Sequence, residues 1–198
     1  MPVKRDDLPV VAVYADESCL GNGREGDNPG GAGGLIELYQ PGKPVVRRDY
    51  WLSEPATTNN RMALRSAIEA FRILSGKGKR LRVFFTSDSQ YLVQGMTVWT
   101  RDWAARSWRR KGGAIENLEL WQQLVEEVGA HEHAWRWVRG HAEHIQNEYA
   151  NELATRAARE QTASGHAVPS GLEQWLERER AKGRMRGEPE GVSPLRTQ

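Results

Sequence analysis

The chain reads as one α/β domain, a five-stranded mixed sheet flanked by helices. Three observations carry that reading. β-Branched and aromatic runs at residues 9–16, 32–39 and 44–52 follow one another with only turns between them, as an antiparallel meander does. Further apolar runs at 81–87 and 134–138 alternate with stretches of helical spacing, the pattern of strands joined through helices. The length, 198 residues, suits one core of ordinary size plus appendages.

Each element has its local signal. The Gly-rich stretch from Gly21 to Gly34 reads as a wide turn, since the G-x-x-x-x-G-K-[ST] phosphate loop is absent. Pro41-Gly42 marks a hairpin. Thr58 or Asn59 caps a helix that runs to Leu74, with Met62, Ala63, Ala67, Ile68, Ala70 and Phe71 as its apolar side and Gly76 and Gly78 as its stop. A short helix follows Asp88 to Met96, and another spans 99–109. Asn117 caps a helix over 118–129, and a last long helix covers 146–161 after a loop from Gly140 to His144. The expected organisation is a disordered lead over 1–8, one domain over 9–161, and an appendage over 162–198. That appendage comprises a Ser/Gly/Ala/Pro linker, a short helix at 170–180 with Ser170 and Glu173 as a capping box, and a disordered tail from about Lys182.

Composition narrows the partners. Lys+Arg 28 against Asp+Glu 26 leaves a net charge of +2, so any surface for a polyanion must be local. Mean hydropathy is −0.70, and no run approaches the length of a membrane span, so a soluble chain with no membrane partner is expected. The N-terminus lacks the apolar segment of a signal peptide. Cys19 is the only cysteine, which excludes an internal disulfide and makes a reducing, cytoplasmic setting the expectation.

The chemistry centres on two acids. The run Val11-Ala12-Val13-Tyr14-Ala15 ends on Asp16, and Leu81–Ser87 ends on Asp88. A lone acid at a strand end is most often a plain surface residue. Two such acids at neighbouring strand ends suit a hard cation held by oxygen. His131-Glu132-His133 and His141-x-x-His144 fit no usual zinc spacing, and Cys19 lacks the partners of a nucleophile.

A series of motifs then occurs in order: Asp16-x-Ser18-Cys19-Leu20-Gly21-Asn22, Thr58-Asn59-Asn60-Arg61-Met62, Ser87-Asp88-Ser89-Gln90-Tyr91, Trp99/Trp103/Trp108, Asn117-x-x-Leu120-Trp121, Trp137-Val138-Arg139-Gly140-His141-Ala142 and Asn147-Glu148. Over roughly residues 9–160 the chain resembles ribonuclease H type 1. The resemblance implies a ribonuclease H-like fold. It also implies metal-dependent hydrolysis of the RNA strand of RNA/DNA hybrids, with two Mg²⁺ (or Mn²⁺) ions clamping the scissile phosphate. It puts Asp16 at the first of four acids and Asp88 at the third, and makes His141 the loop histidine that helps move protons and release product. It implies that Thr58, Asn60 and Arg61 hold a DNA phosphate, and that Asn22, Ser89 and Gln90 read the minor groove and the RNA 2′-hydroxyls. The Trp99, Trp103, Trp108 series followed by Arg109, Arg110 and Lys111 implies a basic handle on the DNA strand. Read from residues alone, the alternative for the same stretch is a satellite core with a solvated rim. A monomer is expected.

The chain departs from the pattern at three positions. The second acid, on the first helix, is Ala63; the fourth, on the last helix, is Asn151; the glycine after the first acid is Glu17. Two carboxylates in place of four predict weaker metal binding and slower cleavage. Three readings fit. Carboxylates have moved, with Glu17 and Glu148 as the candidates; or the protein binds hybrids without cutting; or Ala63 and Asn151 are substitutions made to trap a complex. Glu17 is not a substitution an experimenter would choose, which favours a natural divergent member. Asn151 and Glu17 are therefore added to Asp16 and Asp88 as candidate metal ligands. The enzyme competes with a catalytically impaired hybrid-binding module, and more distantly with a nuclease that prefers DNA. A third carboxylate within about 5 Å of both Asp16 and Asp88 favours the enzyme.

Overall fold

The computed structural model describes residues 8–21, 28–76, 78–140 and 144–191. Strands β1 (Val10–Cys19), β2 (Gly30–Tyr39) and β3 (Val46–Glu54) form the expected antiparallel meander. Helix α1 (Asn59–Ser75) leads to β4 (Arg82–Ser87), which lies parallel to β1. Helices α2 (Gln90–Gln94), α3 (Thr100–Ala105) and α4 (Leu118–Val128) precede β5 (Glu132–Trp137), parallel to β4. Helix α5 (Ile145–Glu160) is followed by β6 (Val168–Pro169) and α6 (Leu172–Ala181). The sheet order is β5-β4-β1-β2-β3-β6.

Strand alternation divides the interior in two. Val11, Val13 and Ala15 of β1 face the larger core with Met62, Phe71, Trp121 and Leu124, on the side of α1 and α4. Ala12 and Tyr14 face a smaller core with Ile145, Tyr149, Leu153, Leu172, Trp175 and Leu176, on the side of α5 and α6.

Several expectations are corrected. The sheet has six strands, because two residues of the supposed linker, Val168 and Pro169, pair with Asp49 and Arg48 of β3. The wide turn ends before Gly30, since Gly30–Gly34 belong to β2, where α5 presses on the sheet. A Cβ at Gly31 would meet the Ala154 carbonyl at 2.2 Å, and one at Gly33 the Leu153 Cβ at 2.5 Å. The helix expected over 99–109 stops at Ala105, and Trp108 lies beyond it in a turn with φ of 59°. Between α2 and α3 the helix continues through one π turn (Gly95–Trp99), with Gly95 against the Trp121 ring, where a Cβ would lie 1.9 Å from the indole. No capping box forms at α6: its cap is Gly171, the Ser170 hydroxyl accepts from Leu172 N–H at 3.1 Å, and Glu173 pairs with Arg47 at 2.6 Å.

Smaller features hold. Thr58 caps α1, accepting from Arg61 N–H at 3.3 Å. Asn117 occupies the cap of α4 in a left-handed conformation, but its side chain donates to the Tyr91 hydroxyl at 3.4 Å and accepts no hydrogen bond from the helix. Leu8 is buried; residues 1–7 and 192–198 of the expected disordered ends lie outside the described residues. The disorder expected from about Lys182 is corrected as far as Glu190, which donates from its N–H to Gln146 Oε1 at 3.2 Å and whose carbonyl accepts from Gln146 Nε2 at 2.7 Å.

Candidate active site

The site forms where β4 stops and β1 does not. The last β1–β4 pair is Ala15–Ser87, while β1 continues along β2 to the Cys19–Gly30 pair. Asp16 and Asp88 are the next residue on each strand. Asp16 thus sits inside a strand, not at its end as expected, beside the point where its neighbour ends. Alternation sends Asp16 toward the α5 side with Ala12 and Tyr14, and Glu17 toward the other. With β4 gone, both can reach round the free rim to Asp88. One oxygen from each of Asp16, Glu17 and Asp88 lies within 4.8 Å of the others.

Neighbouring groups fix this geometry. Asp16 is 7% exposed; its Oδ1 accepts from Glu17 N–H at 2.7 Å, and its Oδ2 accepts from Asn147 Nδ2 at 3.4 Å. Asn147, itself buried, also donates to the Ala15 carbonyl, so α5 is tied to β1 at the acid. Trp137 at the end of β5 donates from its indole N–H to the Asp88 carbonyl at 2.9 Å. Gly140 passes so near Asp88 that a Cβ there would lie 2.4 Å from Oδ2, so only glycine fits without displacing the carboxylate. Ser89 caps α2, accepting from Leu92 N–H, and its side chain also hydrogen-bonds Glu17.

The electrostatics are those of a crowded acidic centre. Burial first, and Asp88 second, push Asp16 up to about 8. Burial, then Asp16 and Asp88, raise Glu17 well above the usual carboxylate range, against the Ser89 hydrogen bond that favours its ionised form. Three carboxylates this close cannot all ionise without a compensating cation. As an all-oxygen donor set at one rim they fit a hard divalent ion.

The remaining candidates are distributed as follows. Asn151 lies one turn beyond Asn147 on α5, half-buried, with Oδ1 accepting from the Thr155 hydroxyl at 3.4 Å. Ala63 is 1% exposed in the larger core. Thr58 is exposed and Asn60 half-exposed at the start of α1, while Arg61 forms a two-point ion pair with Glu54 at 2.7 and 3.2 Å. Gln90 is exposed beside Ser89. Trp99, Trp103 and Trp108 are half-buried against the larger core; the first two meet Trp121 edge to face, and Trp99 also meets Tyr91. Arg109, Arg110 and Lys111 stand exposed at the tip. The stretch is therefore both a satellite core and a projecting basic edge. His141 and Asn22 lie outside the described residues. Asn147 and Trp137 belong to the quoted motifs, yet their roles emerge only from the fold, because each acts through a residue distant in sequence.

The site is thus an acidic centre at the rim between the parallel strands β1 and β4 of a mixed sheet flanked by helices. A family model described as RNase H matches residues 9–159. Ribonuclease H of Stutzerimonas stutzeri (strain A1501) is 42% identical over 147 residues, covering 74% of this chain and 89% of that protein. Among solved structures, the crystal structure of LC9-RNase H1, described as a type 1 RNase H with the type 2 active-site motif, is 63% identical with a TM-score of 0.86, covering 94% of this chain and 90% of that one. LC11-RNase H1 in complex with RNA/DNA hybrid shares the fold, at 17% identity and a TM-score of 0.55, covering 76% of this chain and 98% of that one. The chain belongs to the RNase H family, enzymes that use divalent metal ions.

Proposed function

We propose that this chain is an endonuclease that hydrolyses the RNA strand of RNA/DNA hybrids, with Glu17 in place of the missing helix acid. The observation that carries the proposal is the convergence of Asp16, Glu17 and Asp88 within 4.8 Å, the third carboxylate that separates an enzyme from a binding module. Similarity to a structure described as carrying the type 2 active-site motif on a type 1 RNase H supports an altered acid pattern as a natural variant of the family.

Asp16, Glu17 and Asp88 hold two divalent ions, Mg²⁺ or Mn²⁺, with Asn151 offering a neutral oxygen. Ions held there would supply the activation of water and the stabilisation of the leaving oxygen of the phosphodiester. Asn147 and the Glu17 N–H orient the two Asp16 oxygens, and Trp137 and Gly140 fix Asp88 from the β5 side. Ser89 holds Glu17 to the rim against the pull of alternation. His141 serves proton transfer and product release. The chain acts as a monomer. It grips the DNA strand through Thr58, Asn60, the Trp99–Lys111 handle and, after exchange with Glu54, Arg61; Asn22, Ser89 and Gln90 read the RNA side.

The test is cleavage of a labelled hybrid with Mg²⁺ and with Mn²⁺. Cutting confined to the RNA strand, lost in Glu17→Gln while hybrid binding persists, is the expected result. Undiminished cutting by Glu17→Gln overturns the assignment.

A further inference from the structure

The segment beyond the family match, residues 160–191, is anchored at both ends and stands off in the middle. At its start Ser164 bonds both backbone groups of Trp51, β6 pairs with β3, and Gly171 N–H donates to Asp49 Oδ2 at 3.0 Å. Leu172, Trp175 and Leu176 complete the smaller core. At its far end Glu190 holds Gln146 through two hydrogen bonds and Arg136 through an ion pair at 2.9 Å. Between these anchors the arm leaves a groove of about 810 Å³ against α5.

One wall of the groove is Glu148, Asn151 and Glu152 of α5; the other includes Lys182, Arg184 and Arg186 of the arm. The α5 wall of the groove adjoins the catalytic rim, because Glu148 follows Asn147, whose side-chain amide donates to Asp16. Glu179 alone answers both Lys182 (2.8 Å) and Arg184 (3.0 Å), and Arg186 has no ion pair among the described residues. The arm wall thus carries two positive charges in excess. An anion entering the groove is repelled by Glu148 and Glu152 and lies against the arm.

The faces of the sheet decide which anion. The handle and α1, which grip the DNA strand in the proposed function, pack on the larger core; α5 and the arm pack on the smaller one, with the carboxylates between. A duplex laid across the rim with DNA toward α1 turns its RNA strand toward the arm. We propose that this groove is a subsite for the RNA backbone next to the scissile phosphate, with Arg184 and Arg186 as its cations; this rests on the hybrid-cleavage reading.

The test is the double variant Arg184→Ala/Arg186→Ala in the full chain, with binding of a labelled hybrid followed in EDTA over a range of salt. The affinity should fall roughly fivefold and the log–log salt slope should shrink by about 1–2, at about 0.9 per lost phosphate contact. Both residues are exposed, so the melting temperature should hold. Neutral methylphosphonate linkages in the RNA strand should erase the difference between variant and wild type; the same linkages in the DNA strand should leave it. An unchanged slope, or a difference erased only by neutral DNA linkages, overturns the subsite. If the wild type itself neither binds nor cuts hybrid, the functional reading fails; if it does both and the variant matches it, only the groove fails.

Discussion

The rim of β1 and the first turn of α1 are two places from which one carboxylate can serve the same centre. In the family pattern the helix carries it, directly after Asn60-Arg61-Met62. Here that residue, Ala63, is enclosed in the larger core, and in the proposed site the acid stands on the strand as Glu17. The difference teaches that the centre is defined by where oxygens converge, not by which element delivers them. The strand route has a cost. Glu17 adjoins Asp16, so two acids share one stretch of backbone, and both are held above their ordinary range by burial and mutual repulsion. It also has a gain in order, because the Glu17 N–H donates to Asp16.

The largest effect should come from moving the acid back. Glu17→Gln keeps an oxygen but removes the charge, and kcat should fall roughly 10²–10³-fold, the range seen when one transition-state stabilising group is lost. Glu17→Gly alone should be as inactive. Glu17→Gly with Ala63→Glu places the acid on the helix and should recover a measurable part of the rate. Steady-state cleavage of hybrid by the three variants checks this; no recovery in the double variant would show that the rest of the rim has adapted to the strand-borne acid alone.

The handle offers a second contrast, between charge and packing in one stretch. Arg109→Ala/Arg110→Ala/Lys111→Ala should flatten the salt dependence of hybrid binding by about 0.9 per lost contact while the melting temperature stays put, since all three are exposed. Trp103→Ala should do the reverse in part. It removes a ring packed against Trp99 and Trp121, and destabilises by up to roughly 3–5 kcal/mol, the range for aromatic truncation. Salt-dependent anisotropy and thermal melts of both proteins separate the two roles.

Crowded acids also set a pH dependence that metal should reverse. Asp16 has a folded value of about 8 against an ordinary 3.8, so between those limits the folded state holds more protons than the unfolded one. Stability of the metal-free protein should therefore be full near pH 4 and fall as pH rises toward 8. Glu17, raised for the same reason, adds to the fall. Denaturant midpoints in EDTA from pH 4 to 8 measure the slope. Mg²⁺ or Mn²⁺ should flatten it, and Asp16→Asn should weaken it without metal. A metal-free protein equally stable at both ends would contradict the crowding.

The sequence showed the larger face of the sheet well and the smaller face poorly. The meander, α1 and the Asp16/Asp88 pair were legible because each follows a local rule: alternation, a Thr cap, an apolar run closed by an acid. The run of β1 through Glu17 to Cys19 was not, since Asp16-Glu17-Ser18 reads as a turn until β2 supplies the pairing partner. Gly31 and Gly33 of β2 looked like part of a loop because the reason for them, the packing of α5, lies more than a hundred residues away. The same holds for the arm. A two-residue strand and a tail held by Gln146 leave no periodic trace.

Asn151→Asp should give the smallest effect and defines the far side of the centre. Asn151 shares a helical face with Asn147, whose amide touches Asp16, so a carboxylate there adds negative charge near the rim without altering backbone or volume. Metal affinity should rise, because a divalent ion gains more from an ionised oxygen than from an amide oxygen. The gain should be limited to a few-fold. Glu148 already acts on Asp16 from the same helix, and a further acid adds to the repulsion that raises Asp16 and Glu17. The expected outcome is a lower Mg²⁺ midpoint in hybrid cleavage, a modest increase in kcat, and a slightly lower melting temperature in EDTA, all three together. A lower melting temperature with an unmoved Mg²⁺ midpoint would mean that residue 151 feels the acids but does not serve the metal, and would pass the fourth place to Glu148.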